Sequence, residues 1–311
     1  MPTRRADAEE ACLVSTLRSL LFVPGDSERK QARALTAGAD ALILDLEDSV
    51  SESQLGPARQ RVRAFLDAHR DAGTPERWVR VNSLSSGKLL EDLVAVIGGR
   101  PDGLVLPKVS APAEVVEVSH YLSALETQAA LPVGSTRLMV IATETPRALL
   151  TLSGYDAAVQ TRLAALTWGM EDLSAALGAS SKTLPDGSLT PALELARALC
   201  LIAAAAAGVQ AIDGVHANFR DSAGLQREAA RARRDGFTAK LAIHPDQVPL
   251  INAAFTPTAE EVDYARRVVA AFAATPDAGV TSLDGRMLDR PHLVLAQRVL
   301  ELSKRSGLDK A

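Results

Sequence analysis

Apolar residues in this chain fall into short consecutive blocks, separated by longer stretches in which they recur every three or four positions. The blocks are Arg18–Val23, Ala41–Leu46, Trp78–Asn82, Gly103–Pro107, Arg137–Thr143, Arg162–Trp168, Val209–Val215 and Lys240–His244. Continuous rather than alternating apolar runs are the pattern of strands buried on both faces. Between them the spacing predicts helices over Ser27–Ala37, Gly56–Ala72, Pro112–Leu125, Thr145–Leu152, Asp172–Leu177, Pro191–Ala207 and Asp221–Asp235. Pro191–Ala207 has the sharpest ends, with Thr190 as N-cap, proline at the first helical position and Gly208 just past the end. Eight strand–helix units predict an α/β chain closed as a (β/α)8 TIM barrel over 17–255. A doubly wound sheet is the competing architecture, but no Gly-x-Gly-x-x-Gly follows the first strand. Residues 1–16 read as a lead-in. Residues 256–311, with helices over Pro257–Thr275 and Pro291–Ser306, read as a helical tail too small for its own core, packing on the barrel or on a neighbouring subunit.

Composition narrows the function classes. Lys and Arg total 34 against 38 Asp and Glu, a net charge of −4, and aromatic residues make up 4%. Neither the basic excess nor the stacking platforms of a nucleic-acid binder are present. No run reaches the ~18 apolar residues of a membrane span, and the acidic N-terminus lacks the apolar core of a secretory signal. Two distant cysteines, Cys12 and Cys200, imply no disulfide framework and fit a reducing cytoplasm.

The chemistry is expected at the strand ends, because barrel active sites lie at the C-terminal face. The second strand ends in Asp45-Leu46-Glu47-Asp48, the third in Arg80-Val81-Asn82, the fourth in Pro107-Lys108 and the fifth in Glu144-Thr145. The sixth ends in Gly169-Met170-Glu171-Asp172 and the eighth in His244-Pro245. Polar residues cap any strand that reaches water, but this many charged ends on one rim point to a convergent site. Hard oxygen donors without clustered Cys or His favour Mg2+, with Mn2+ as the alternative, and Glu144 with Asp172 is the best ligand pair. Asp172 also suits a helix cap. Arg80 could orient a carboxylate or stabilise an oxyanion, or sit in a salt bridge with Glu47 or Asp48. Lys108 reads equally as a solvated lysine, His244 as a packing turn, and Gly25-Asp26-Ser27 as a helix cap or a phosphate seat.

Arg18-Ser19-Leu20-Leu21-Phe22-Val23-Pro24-Gly25 followed by Asp45-Leu46-Glu47-Asp48-Ser49 resembles the citrate lyase β-subunit-like family within the HpcH/HpaI aldolase superfamily. Arg80-Val81-Asn82, Leu106-Pro107-Lys108, Glu144-Thr145, Gly169-Met170-Glu171-Asp172-Leu173 and Ile243-His244-Pro245-Asp246-Gln247 are similar to its later motifs, in the same order. The resemblance implies a Mg2+-dependent lyase that cleaves or forms a carbon–carbon bond in a 3-hydroxyacyl-CoA such as malyl-CoA, citramalyl-CoA or a citryl thioester. A thioesterase of the same family and a non-catalytic complex subunit are the alternatives. The resemblance implies a homotrimer or hexamer, places the metal on Glu144 and Asp172, and gives the substrate Arg80, Asp48, Gly169 and Met170, with Glu47 beside them. It also likens Gly285-Arg286-Met287-Leu288-Asp289-Arg290-Pro291 to an element whose aspartate serves a neighbouring subunit as acid/base, so Asp289 inherits that role, with a helix N-cap as the simpler reading. Arg29 and Lys30, with Arg33, are candidates for the CoA phosphates. Two positions depart from the family pattern: Pro146 after Glu144-Thr145, and the segment Asp213–Arg220.

Overall fold

A computed structural model describes residues 17–70, 73, 75–156, 159–275 and 279–305. Eight parallel strands close into a barrel in chain order: β1 Ser19–Pro24, β2 Ala41–Asp45, β3 Glu76–Arg80, β4 Gly103–Leu106, β5 Arg137–Ile141, β6 Leu163–Thr167, β7 Gln210–Asp213 and β8 Ala239–Ala242. Closure is the β1–β8 pairing, with Ser19 opposite Lys240 and Leu21 opposite Ala242. The expected barrel is therefore the observed one. The strands are shorter than their apolar blocks, because the last residues of each block leave the ladder and form the rim.

Helices follow each strand: α1 Glu28–Ala34, α2 Leu55–Ala68, α3 Leu89–Val96, α4 Pro112–Gln128, α5 Pro146–Leu149, α6 Met170–Ala176, α7 Pro191–Ala207, α8 Ser222–Asp235 and α9 Val248–Phe255. The sequence reading missed α3 and α9, whose eight residues each are too short for a clear period. Pro146 is accommodated without strain at the first position of α5, where Thr145 accepts the Ala148 N–H at 3.1 Å. Thr190 stands at the α7 N-cap position but its side chain makes no capping bond; Gly208 closes that helix at φ 70° as expected. The lead-in 1–16, Ala72 and Ser306 lie outside the described residues.

Alternation along the strands sends Leu20, Ile43, Trp78, Val105, Met139, Ile141, Ile212 and Leu241 into one interior cluster. Gly25 is fixed by close packing: a Cβ there would stand 2.6 Å from the Asp45 carbonyl, which accepts the Gly25 N–H at 2.8 Å. The chain divides into two compact units after Asn252, within α9. The C-terminal unit contains α10 Ala259–Ala273, an antiparallel hairpin of β9 Val280–Leu283 and β10 Arg286–Asp289, and α11 Arg290–Arg305. Contrary to the expectation of a tail too small for its own core, it has a small one of Ala265, Val268, Phe272, Leu288 and Ala296, because the hairpin adds Leu288 to the helix faces. The hairpin replaces what the sequence reading left as a Gly/Asp-containing stretch; Asp284 and Gly285 both take positive φ at its turn, as a two-residue hairpin requires.

Near the N-terminal edge of β6, Arg162 forks onto Glu126 of α4, donating from Nη1 at 2.8 Å and Nη2 at 2.6 Å. Both side chains are buried, and the Gly134 and Thr136 N–H groups complete the carboxylate's partners at 2.8 Å each. Burial alone would raise the Glu126 pKa, but the Arg162 bonds and these N–H groups pull it down to about 2. Glu126→Gln is expected to cost about 3–5 kcal/mol, read by urea denaturation, because Arg162 is left buried and uncompensated. The depressed pKa makes the pair's contribution complete above about pH 4.5 and lost on acidification toward pH 2, so mutant and parent should converge there.

Candidate active site

The rim of the barrel gathers charge from successive strand ends. Arg80, the last residue of β3, donates from Nε and Nη2 to the two oxygens of Asp45 at 2.7 Å each. Its Nη1 lies 3.0 Å from Glu47 Oε2 and 4.0 Å from Asp48, and its guanidinium stacks 4.7 Å from the Phe22 ring centroid. Asp45 is therefore the residue that aims Arg80; the sequence reading placed that role on Glu47 or Asp48. Asp45 is turned inward at the last position of β2, where it also accepts the Glu47 N–H at 3.0 Å and the Ser49 N–H at 3.2 Å. Burial works against its charge, but the Arg80 bonds hold its pKa below the usual carboxylate range. Arg80 is correspondingly raised: burial would lower it, and Asp45, Glu47 and Asp48 more than offset this. Its positive charge is permanent.

Lys108 is the residue the sequence reading weighed too lightly. It adopts φ 53°, in the left-handed region. In that conformation its N–H donates to Glu144 Oε2 while its side chain swings back to Glu47 and to Asp48 Oδ1 at 3.1 Å. Nζ also stands 3.7 Å from Asp172 Oδ1. One residue after β4 thus touches the acidic pair of β2 and both acids after β5 and β6. Burial would lower its pKa, but the bond to Glu47 raises it, so the ammonium persists. A Pro-Lys turn in sequence carries no signal of this, because it depends on a backbone angle most lysines avoid.

Asp48, Arg80, Glu144, Gly169, Met170 and Asp172 line one cavity of about 130 Å3. Glu47, nearly buried, is joined to it through Arg80 and Lys108. A Cβ on Gly169 would stand 2.8 Å from Glu144 Cγ, so glycine lets the β6 terminus close on that carboxylate. Asp172 sits inside the first turn of α6, whose N-cap position is Gly169, so it does not serve as the cap. Burial, with the charges of Asp172 and Glu47, pushes Glu144 up to about 8, against the Lys108 N–H. A buried carboxyl facing a second carboxylate suits a hard dication, which would offset both the burial and the repulsion between the acids. Among the described residues no group of three or more His, Cys, Asp or Glu is arranged to hold a metal alone. Two carboxylates, with water and substrate completing the shell, match Mg2+.

The other expected residues stand elsewhere. Arg29, Lys30 and Arg33 line a separate cavity of about 330 Å3 with Phe22 and His244, and Phe22 also borders the acidic cavity. His244 caps a 3-10 turn, its Nδ1 accepting the Asp246 N–H at 3.2 Å, and its ring stacks on Phe219. Ser27 holds the N-cap position of α1 without a side-chain bond. Asp289 ends β10 in the C-terminal unit, where its carboxylate meets His292 Nδ1 at the start of α11.

Comparison with known proteins identifies the family and the fold. Residues 18–245 match the family model described as HpcH/HpaI aldolase/citrate lyase. The citrate lyase subunit beta of Escherichia coli K12 is 37% identical over 297 residues, covering 94% of this chain and 95% of its own. The mitochondrial citramalyl-CoA lyase of Rattus norvegicus is 34% identical, covering 92% and 86%, and a (3S)-malyl-CoA thioesterase of Cereibacter sphaeroides is 34% identical, covering 91% and 93%. Among solved structures, CitE from Mycobacterium tuberculosis in complex with magnesium, acetoacetate and coenzyme A superposes with a TM-score of 0.75 at 33% identity, over 94% of this chain and all of that one.

Glu144 supplies a measurable consequence. With its pKa raised to about 8 in the metal-free protein, Glu144 as a Mg2+ ligand would have to give up a proton at pH 7, so affinity should fall as pH drops below 8. Calorimetric titrations at pH 7 in buffers of different ionisation enthalpy are expected to show nearly one proton released per Mg2+; no release would mean that Glu144 is already ionised.

Proposed function

We propose a reaction from one premise: this chain belongs to the HpcH/HpaI aldolase/citrate lyase family. It is a Mg2+-dependent carbon–carbon lyase acting on a 3-hydroxyacyl-CoA thioester, releasing or consuming an acyl-CoA and a 2-oxoacid. The observation that carries the reading is the pairing of Glu144 and Asp172 in one small cavity with a permanently charged arginine. Bound there, Mg2+ would act as a Lewis acid toward the 2-oxoacid oxygens.

The chain's own residues do the rest. Two of the five guanidinium N–H groups of Arg80 are bonded to Asp45 and Nη1 stands beside Glu47, so N–H groups remain for the negative charge that develops on the acyl oxygen as the bond breaks. Asp45 holds the guanidinium rigid, so no reorientation is needed at that moment. Lys108 keeps Glu47 and Asp48 from drifting toward the metal ligands. Gly169 and Met170 close the cavity beside Asp172. Arg29 and Lys30, exposed beside a cavity that shares Phe22 with the acidic one, are placed to meet CoA phosphates. Asp289 serves as acid/base for the enolate carbon in a neighbouring subunit's site, within a homotrimer or hexamer that we place in the cytoplasm; the support for its role is its motif and its half-exposed carboxylate. Among the described residues no helix is long and apolar enough to cross a membrane.

The test is an assay of malyl-, citramalyl- and citryl-type CoA thioesters with Mg2+, following CoA and 2-oxoacid together. Equal release of acyl-CoA and 2-oxoacid is expected; free CoA without 2-oxoacid would instead establish hydrolysis, the activity named for the Cereibacter relative. Asp172→Asn should weaken Mg2+ more than the ~10–100-fold typical of residues behind the ligands, with the fold intact by circular dichroism; unchanged affinity removes Asp172 from the ligand set. Asp289→Ala should leave Mg2+ affinity unchanged and lower turnover by ~10²–10⁴. Near-normal turnover would reduce Asp289 to the helix-start role its contact with His292 already shows.

A further inference from the structure

We propose that the 2-oxoacid this site takes carries a small alkyl group as its third substituent, rather than hydrogen or a second carboxylate. This rests on the lyase reading and refines it. Going round the barrel, the charged contributions all come from one arc: Asp48 after β2, Arg80 on β3, Lys108 after β4, Glu144 after β5 and Asp172 after β6. The remaining arc, from β7 through β8 to β1, presents Gly214, Val215, Leu241 and Phe22 to the same cavity. Ile141 and Trp168 complete the apolar lining. A 2-oxoacid chelated through its carboxylate and keto oxygens has its polar atoms on the first arc, so its third substituent meets the second.

Within this cavity's lining no cation stands on that arc; Lys240 and Arg197 line a neighbouring cavity beyond Trp168 and Val215, and Arg29, Lys30 and Arg33 one beyond Phe22. Arg80 is the one cation among the cavity's lining residues, and it stands at the end of β3, on the charged arc. The strands of the apolar arc do carry a lysine, but alternation puts it on the opposite face. Leu241 and Ile212 point into the barrel, while their neighbours Lys240 and Asp213 pair with each other at 2.7 Å outside it. Arg197 is held there too, with Nε 3.1 Å from Asp213. Asp213 also accepts the Trp168 indole N–H at 2.8 Å, and a Cβ on Gly214 would press within 3.2 Å of that ring. Trp168 is therefore pinned as a wall between the barrel mouth and these outer charges. A second carboxylate on the substrate would be buried against Phe22, Val215 and Leu241 without a counter-charge. Hydrogen would leave the same wall uncovered within a cavity of about 130 Å3.

Calorimetry of the full-length, Mg2+-loaded protein with glyoxylate, pyruvate and oxaloacetate tests this, with decarboxylation of oxaloacetate followed in parallel. Pyruvate is expected to bind ~10-fold or more tighter than glyoxylate, the usual worth of one methyl in an apolar pocket, and tighter than oxaloacetate. Glyoxylate or oxaloacetate level with or ahead of pyruvate overturns the proposal while leaving the lyase reading standing. Mg2+-dependent binding of none of the three overturns both. Val215→Lys, which puts a cation on the apolar arc, should move the ranking toward oxaloacetate; a folded variant with the parent's ranking also overturns the assignment, and if the variant does not fold, the parent's ranking decides alone.

Discussion

Six carboxylates converge at the mouth of this barrel. Asp45, Glu47, Asp48, Glu144 and Asp172 are held, among the described residues, by two cations, Arg80 and Lys108, while Glu171 pairs with Lys182. Each cation has a division of labour that its chemistry explains. The planar guanidinium of Arg80 makes a two-pronged contact with Asp45 that fixes its orientation, whereas the ammonium of Lys108 is a point charge that can touch several acids at once. The deficit left over falls on Glu144, a buried acid whose pKa climbs out of the carboxylate range. The protein thus holds ready a site that a dication completes.

That arrangement depends on the barrel. Parallel strands deliver all their C-terminal ends to one rim, so residues far apart in sequence meet without any long loop. Glu47 and Lys108 are partners across 61 positions, and Lys108 and Glu144 across 36. Strand alternation then decides what enters the mouth. On β7 and β8 it turns apolar residues inward and the Asp213–Lys240–Arg197 group outward, so one set of strands offers a hydrophobic wall to the substrate and a charged network to the helices behind.

Much of this was legible in the sequence, and the limits have identifiable causes. The apolar blocks announced eight strands because a strand buried on both faces needs no polar alternation. Their charged ends announced the rim, and Glu144, Asp172, Arg80 and Asp48 share one cavity as that reading expected. What failed were judgments that turn on angles and rotamers. Asp45 stood among the charged strand ends without an assigned role, yet it is the acid that aims Arg80. Lys108 read equally as a solvated lysine, yet a positive φ makes it the hub of the acidic cluster. Thr190 had the right residue type for a capping bond it does not make. Short helices such as α3 and α9, and the β9–β10 hairpin, offered too few residues for a period to emerge.

The positive φ of Lys108 links these threads. A left-handed conformation costs a non-glycine residue on the order of 1–2 kcal/mol, so a chain adopts it only where something is gained. Here the gain is that the backbone N–H and the side chain of one residue point at different acids, Glu144 with the first and Glu47 and Asp48 with the second. Glycine would make the turn easily but has no ammonium; a lysine with ordinary φ would direct that ammonium elsewhere. The strained residue therefore stands where the metal-binding arc meets the arginine-binding arc, and the two halves of the site are held in register by one backbone angle.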